Sequence, residues 1–313
     1  NQESCTVWGV TATNTAGELR IGSGSEIIAA VQTKQQVIVF TDRSVSAMQF
    51  IGAPFTFGIT EVSTNTSIVG QNAAVAVGDS VFWMGNDVFY RYDGNVTLIP
   101  CPVEEYVFNN VNVSQLSKVT AGSNAEFNEV WWFYPSASSS NNDSYVVYNY
   151  ADKIWFYGTI DRTAWDAGGV SGFPIAASPD GNIYFQENGF SDGSTNPPSA
   201  ISSFVESSGV DIGDGQQFMS VKQIIPDIEF RNSTGTPTAT FTLNARTYPG
   251  SGTTQTQSGN TVRSVASPVE KYTEKLDVRI RGRSVSLRVE SNQVGTQWRL
   301  GSTRLDMRPD GRR

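Results

Sequence analysis

The stretch that decides the fold is Gln36-Val-Ile-Val-Phe40, followed by the turn Thr41-Asp-Arg43 and then by Ser44-Val-Ser-Ala-Met-Gln-Phe50. Aromatic and β-branched residues favour strands, and a short polar segment between two such runs is typical of a hairpin. The pattern recurs at Ser80–Tyr92, Glu129–Asn149 and Pro174–Gln186, with spacings of 44, 49 and 45 residues between the first strands. Periods of this length are typical of β-propeller blades. The sequence therefore predicts an all-β fold with propeller-like blades of antiparallel strands.

Strand candidates also flank these hairpins, as at Glu26–Val31 and Asn95–Ile99. About four strands per unit are therefore expected, as in a propeller blade. One blade cannot bury both of its faces alone, whereas neighbouring blades cover each other. Four units are the smallest number that closes a ring.

The composition of the sequence changes near residue 188, after which Gly, Ser and Asp are frequent as far as residue 217. We predict a propeller-like blade region at 1–188, an irregular insertion at 189–217 with one strand at Ile201–Glu206, and a C-terminal β module at 218–313. The strand candidates of this module are Gln223–Phe230, Thr238–Arg246, Tyr272–Ile280, Ser284–Glu290 and Trp298–Met307. The second to fourth alternate apolar and polar residues, as half-buried antiparallel strands do. They predict either a β-sheet or sandwich-like module or blades that close the propeller. The polar stretch Pro249–Asn260 is expected to be a mobile hairpin tip.

Charge is unevenly distributed along the chain, whose formal net charge is −8. The segment Arg279–Arg313 carries nine Arg and three acidic residues, a net charge of +6, so the remainder carries −14. This asymmetry indicates a basic contact surface or complementary self-association, with solvated strand faces as the alternative. No apolar run is long enough for a membrane span. Cys5 and Cys101 could form a disulfide or remain free, buried thiols, which we favour.

Histidine is absent from the sequence, which excludes Ser-His-Asp and Cys-His relays and His-containing zinc sites. Two cysteines cannot form a structural zinc site alone. Carboxylate chemistry needs two acidic side chains in a suitable geometry, and the candidates for such a pair are Glu104, Glu105, Asp161 and Asp166. We expect Glu104 and Glu105 to be adjacent strand residues, which point to opposite faces. The turn Ser178–Tyr184 suits any tight hairpin, and the loop Asp211–Gly215 lacks the remaining ligands of a calcium loop. We expect no enzyme activity, no cofactor and no metal site.

Several segments resemble short-tailed phage (podovirus) tail nozzle and packaged-DNA stabilisation proteins. They lie near both ends of the chain: Thr11–Gly17, Leu19–Gly22, Ile27–Val31, Phe50–Phe57, Tyr90–Gly94, Val289–Asn292, Gly295–Gly301 and Arg304–Arg313. The C-terminal run Trp-Arg-Leu-Gly followed by Arg-Leu-Asp-Met-Arg-Pro-Asp-Gly-Arg is the most specific of them, because no general fold requirement dictates it.

The resemblance implies a structural virion protein of the phage tail, which assembles as a homo-oligomer, a ring of six. Its implied partners are adaptor and portal-side tail proteins, a tail fibre or needle, and duplex DNA that passes through the lumen without sequence-specific contact. Such a nozzle extends the DNA channel, retains the packaged genome and permits its ejection. We assign the basic tail first to subunit or partner contacts, with contact of lumenal DNA as the alternative. The candidate contact residues are Trp298, Arg299, Arg304, Asp306, Arg308 and Asp310.

Two further hypotheses belong to other functional classes. Trp131 and Trp132, with the Asn- and Ser-rich loop 136–144, could form a receptor- or glycan-binding surface on a virion propeller, although large aromatic residues in a strand more often lie in the core. The third hypothesis is a carboxylate glycosidase, which requires two carboxylates about 5–10 Å apart in an open pocket.

Overall fold

The computed structural model describes residues 6, 9–11, 17–52, 55–248 and 263–312. The prediction of an all-β fold is confirmed, because strands dominate the described residues and every sheet is antiparallel. The chain divides into two compact units, Asn1–Glu187 and Asn188–Arg313. Among the described residues, no helix is long and apolar enough to cross a membrane.

The first unit consists of four consecutive blade-like sheets, in which strands pair in chain order. Blade 1 contains β1 (Ile27–Gln32), β2 (Gln36–Thr41), β3 (Ser44–Gly52) and β4 (Thr56–Thr64); blade 2 contains β5 (Ala74–Val77), β6 (Ser80–Met84), β7 (Phe89–Tyr92) and β8 (Val96–Ile99). Helix α1 (Glu104–Asn110) and a 3-10 helix (Val113–Lys118) lead to blade 3, with β9 (Thr120–Asn124), β10 (Glu129–Tyr134), β11 (Ser144–Asn149) and β12 (Ile154–Thr159). Blade 4 has three strands, β13 (Ala164–Asp166), β14 (Ile175–Ala177) and β15 (Ile183–Phe185), with a 3-10 turn (Gly169–Ser171) after β13.

Consecutive blades meet through their first strands, so that β1 contacts β5, β5 contacts β9, and β9 contacts β13. The Ala121 amide donates to the Asn72 carbonyl oxygen at 2.7 Å, and the Thr120 hydroxyl donates to the Thr163 carbonyl oxygen at 3.1 Å. Within the described strands, β13 has no comparably extensive contact with β1. The blade-like sheets match the expectation, and the closed propeller stays a prediction.

Aromatic rings fill the junctions between these blades. The rings of Phe40 and Trp83 lie 5.0 Å apart between blades 1 and 2, and those of Phe89 and Trp132 lie 4.9 Å apart between blades 2 and 3. Trp132 is fully buried, and its indole N–H donates to the Ala73 carbonyl oxygen at 3.1 Å. Aromatic pairs of this kind add to the stabilisation from buried area. Side chains of both neighbours thus form one continuous core across blades 1–3.

The junction between blades 3 and 4 depends on a glycine. The Trp165 ring stacks on Trp131 at 5.5 Å, and its indole N–H donates to the Ser123 carbonyl oxygen at 3.0 Å. A Cβ atom on Gly122 would lie 2.2 Å from Cδ1 of Trp165. Only a residue without a side chain therefore allows Trp165 to lie on β9.

The second unit has its own core and three sheets. Its strands are β16 (Ser203–Glu206), β17 (Val210–Asp211), β18 (Met219–Ile225), β19 (Ile228–Glu229), β20 (Thr238–Arg246), β21 (Ser264–Glu270), β22 (Leu276–Gly282), β23 (Ser284–Ser291), β24 (Arg299–Leu300) and β25 (Arg304–Pro309). The largest sheet has the order β16-β23-β20-β21, with β17 also paired to β23; the others are β22-β18-β25 and β19-β24. The first two sheets share one hydrophobic core around Phe241, Leu243 and Val221.

Several local expectations differ from the observed strands. The predicted irregular insertion contains β16 and β17, which pair with β23 and so form part of the largest sheet. A strand predicted at Gln223–Phe230 is divided at Pro226, because proline has no N–H for the ladder. A strand predicted at Trp298–Met307 is divided into β24 and β25 by Gly301–Thr303. The amides of Gly301 and Ser302 donate to Asp227 there. The predicted hairpin tip Pro249–Asn260 lies outside the described residues.

Replacement of Trp132 by Ala should lower the free energy of unfolding by about 3–5 kcal/mol, since it leaves a cavity in the core and removes the hydrogen bond to Ala73. Urea denaturation measures this change. Leu98→Ala, at an exposed position of β8, should change it by less than about 0.5 kcal/mol. Similar losses for both variants would contradict the central position of the aromatic core.

Candidate functional site

Four of the six predicted contact residues lie on or next to one strand. β25 pairs with β18 so that Arg304 lies opposite Ile225, Asp306 opposite Gln223 and Arg308 opposite Ser220. These positions alternate with Leu305 and Met307, which pack against the core. Alternate residues of a strand point to opposite faces, so Arg304, Asp306 and Arg308 share the outer face of the sheet. Asp310 follows this strand directly.

Ion pairs bridge the charged residues of this outer face. Nη2 of Arg308 lies 3.1 Å from Oδ2 of Asp306, and both side chains are substantially exposed. Nε of Arg281 donates to Oδ2 of Asp310 at 2.5 Å, and its Nη2 donates to the Asp310 carbonyl oxygen at 2.9 Å. Exposed pairs of this kind contribute about 0–1 kcal/mol to stability. They can therefore exchange partners with another protein at little expense to the fold.

Phe218 holds two of the basic side chains beside this sheet. The Cζ atom of Arg281 lies 4.1 Å from the centre of its ring, and that of Arg283 lies 4.8 Å away. Arg283 also donates to the carbonyl oxygens of Gln216 and Arg312. Cation–π contact and hydrogen bonds fix both guanidinium groups at one end of the sheet.

The other two candidates lie elsewhere in the second unit. The Trp298 ring packs against the core, and its indole N–H donates to Oγ of Ser203 at 2.9 Å. Arg299 lies in β24 opposite Glu229. Trp298 thus stabilises the unit, and β25 with Asp310 is the surface that brings predicted contact residues together.

The aromatic residues of the glycan-binding hypothesis have partners within the first unit. Trp132 is fully buried. Trp131 is half-buried, packs against Trp165 and Tyr145, and donates its indole N–H to Glu129 at 3.0 Å. Loop 136–144 is held by Asp143, which accepts from the Ser136 amide and hydroxyl at 2.7 Å each. Trp132 therefore offers no ring face to a sugar, and Trp131 is engaged by ring contacts and a hydrogen bond within the unit.

The carboxylates considered for catalysis are placed differently from expectation. Glu104 and Glu105 form the first turn of α1, so their expected strand geometry is wrong. Asp166 lies in β13 and accepts from the Gly168 amide at 2.9 Å, whereas Asp161 precedes that strand. In the loop Asp211–Gly215, the Gly215 amide donates to the Ile212 carbonyl oxygen. Across the described ranges, no three His, Cys, Asp or Glu side chains are grouped closely enough to hold a metal ion.

Two smaller features concern a turn and a thiol. In the turn Ser178–Tyr184, Asp180 accepts from the Asn182 amide and the Tyr184 hydroxyl, and these hydrogen bonds hold the pKa of its carboxyl far below the usual range. Cys101 is a half-buried free thiol, and burial raises its pKa to about 11. Cys5 lies outside the described residues.

A titratable group at the junction of blades 3 and 4 was not found from the sequence. Burial raises the pKa of Glu129 to about 7; the hydrogen bond from Trp131 opposes the shift, and the charge of Glu187 adds to it. Burial also raises the pKa of Glu187, with a further contribution from the charge of Glu126. Burial is the main cause that raises the pKa of Tyr145, and the charges of Glu187 and Glu129 add to it. No sequence pattern marks this cluster, because its members come from three separate segments.

An exposed apolar hairpin tip was also missed. Phe50 and Phe55, at the turn between β3 and β4, are 70% and 76% exposed. The Phe50 and Phe57 rings contact each other at 5.8 Å. The sequence did contain a signal, since residues 44–60 include no charged side chain. Exposed apolar clusters of this kind mark interaction sites.

Comparison with known proteins gives no family for this chain. No family model matches it, and no curated protein is significantly similar to it. Among solved structures, the computationally designed Ika4 protein matches with 12% identity and a TM-score of 0.34, over 53% of this chain and 92% of that one. A plant lectin from Cicer arietinum matches with 10% identity and a TM-score of 0.26, over 49% and 83%. The hemopexin fold protein CP4 from cow pea matches with 12% identity and a TM-score of 0.27, over 51% and 92%. Similarities this low carry no argument about function.

The raised pKa of Glu129 predicts a dependence of stability on pH. Because this pKa is higher in the folded than in the unfolded chain, folding takes up a proton, and stability falls as pH rises from about 4.5 through about 7. No histidine titrates in this window. The thermal midpoint of Glu129→Gln should therefore fall less than that of the wild type between about pH 5 and pH 8. Equal falls in both proteins would contradict the raised pKa of the half-buried Glu129.

Proposed function

We propose that this chain is a structural subunit of a short phage tail. In this proposal it forms an oligomeric nozzle, a ring of six, that extends the DNA channel below the portal and adaptor proteins. The ring retains the packaged genome, permits its ejection and also meets a tail fibre or needle. The role requires no catalytic residue, cofactor or metal.

The observation that carries the proposal is the position of the C-terminal run that resembles tail nozzle proteins. This run forms β24 and β25, and the charged residues of β25 are displayed on an outer sheet face. The charged side chains of this run thereby lie where a partner protein can contact them, whereas Trp298, Leu305 and Met307 pack against the core. Its exposed ion pairs suit a contact in which Arg and Asp recognise opposite charges on that partner.

Pro309 indicates how this contact is made. The Asp310 amide donates to the Phe218 carbonyl oxygen, so the neighbouring position 309 faces the open edge of the sheet. Proline has no N–H there, and prolines at open edges hinder the addition of a further strand. Side chains of β25, rather than its backbone, are therefore the contact groups.

Charge supports a conduit for DNA. Residues 1–187 carry 18 acidic and 7 basic side chains, a net charge of −11, whereas residues 188–313 carry 12 and 15, a net charge of +3. An acidic lumen repels phosphates, so that duplex DNA slides without being held. In this assignment the first unit lines the channel, and the basic second unit contacts other tail proteins.

The proposal predicts a ring-shaped homo-oligomer with a channel wide enough for duplex DNA. Mass photometry of the full chain should give a discrete multiple of the 34.0 kDa subunit, and negative-stain images should show a central opening. A strictly monomeric particle over the accessible concentration range would rule out the nozzle.

A further inference from the structure

At each end of the described blade series, exposed apolar side chains lie on the side that points away from the neighbouring blade. In blade 4, Trp165 lies on the face that packs against blade 3, with Ala176 and Tyr184 next to it in register. Strand alternation places Ile175, Ile183 and Phe185 on the opposite face. Ile183 is 73% exposed and Phe185 is 58% exposed. We name the surface formed by Ile175, Ile183 and Phe185 the blade-4 patch.

Blade 1 also has exposed apolar side chains at the other end of the series, beside a face on which Val39 and Ser46 are buried. Phe40 contacts Trp83 of blade 2, and Val45, which is paired with Phe40, points to the same side. Positions 48 and 50 of β3 therefore point away from blade 2, together with their cross-strand partners Ile59 and Phe57. We name Phe50, Phe55 and Phe57 the blade-1 tip.

The backbone makes the blade-1 tip project beyond its sheet. The pairing of β2 with β3 ends at Gln49, whereas β3 and β4 remain paired as far as Gly52 and Thr56. Gly52 has a φ of +83°, and Thr56 has a φ of +61°, a value that is uncommon for a β-branched residue. The side chain of Ile51 lies over Gly58, where a Cβ atom would be only 3.2 Å from its Cδ1. The result is a two-stranded ribbon that carries three phenylalanines past the edge of blade 1.

Charge restricts how two copies of the first unit can meet. Each carries a net charge of −11, so most contacts between two copies of this unit are repulsive. The blade-1 tip is an exception, because residues 44–60 contain no charged side chain. The blade-4 patch is another, because residues 167–179 and 181–186 contain none. The nearest carboxylates are Asp166, across the sheet from Ile175, and Asp180, which the β14–β15 turn holds beside Tyr184.

Among the described residues, blade 4 has three strands and ends at β15, whereas the other three blades have four strands each. Within one copy, each blade covers its neighbour with apolar and aromatic residues. The same kind of packing would continue between copies if the tip of one copy lay on the patch of the next.

We propose that copies of this chain associate head to tail, with the blade-1 tip of one copy packed on the blade-4 patch of the next. The two surfaces belong to opposite ends of one unit, so the contact is heterologous, and such contacts form a ring when the rotation closes. This inference rests on the proposed nozzle, for which it specifies the contact between subunits.

Disulfide trapping tests this contact directly. In a full chain with Cys5 and Cys101 replaced by Ser, Phe55→Cys and Ile183→Cys are made as separate variants. Mixing the two should give a covalent dimer on oxidation, whereas each variant alone should not. Covalent dimers of Phe55→Cys alone would indicate tip-to-tip contact and overturn the proposal. A double variant that forms the disulfide within a monomer would also overturn it.

Substitutions at the two surfaces provide a second test. Phe50→Ser with Phe55→Ser, and Ile183→Ser with Phe185→Ser, should each weaken self-association by about tenfold or more, as measured by mass photometry. Leu98→Ser, at a similarly exposed apolar position of blade 2, should leave it unchanged. Circular dichroism verifies that each variant is folded.

The possible failures are distinguishable. If both serine double variants still form rings and the mixed cysteine variants give no cross-link, the tip-to-patch contact is overturned. The nozzle then stands, and the two apolar surfaces belong to another occupant. A wild-type chain that remains monomeric contradicts the nozzle and the contact together.

Discussion

The structure of the first unit depends on aromatic packing between the faces of successive sheets. A four-stranded blade has two faces, and exposure of an apolar face to water is unfavourable in free energy. Phe89, Trp132 and Trp165 show how this requirement is met, because each ring lies between two blades. The indole N–H of Trp132 is also satisfied, because it donates to the Ala73 carbonyl oxygen. Sheets that would be marginal alone thus form one body.

The same requirement connects the fold to its proposed function. The two ends of the described blade series carry Phe50, Phe55, Ile183 and Phe185 at high exposure. In a unit with a strong negative charge, such uncharged apolar surfaces are the places where another copy can approach. The second unit contributes a different surface, the charged outer face of β25, for other partners. A ring-forming structural protein needs surfaces of both kinds.

Much of the fold could be predicted from the sequence because hairpins are local. Alternating apolar strands and their turns located β2, β3, β6, β7, β10 and β11 within one or two residues. Short strands such as β5 and β13 were missed, since three or four residues carry too little pattern. Helix α1 was also missed, because its seven residues pack only Val107 fully into the core. Pro226 causes the break between β18 and β19. The break between β24 and β25 follows from the contacts of Asp227, a tertiary effect that a local sequence pattern does not show.

The candidate sites were less predictable, because they depend on which face a residue occupies. Arg304, Asp306, Arg308 and Asp310 lie together because they are close in sequence, whereas the separation of Trp298 from them is set by core packing. A three-dimensional reconstruction of the assembled full chain by electron cryo-microscopy tests the central claim most directly. We predict a closed ring in which the β3–β4 hairpin of one copy covers β13–β15 of the next. A ring in which β13–β15 remain open to solvent, or a particle without a ring, would contradict this account.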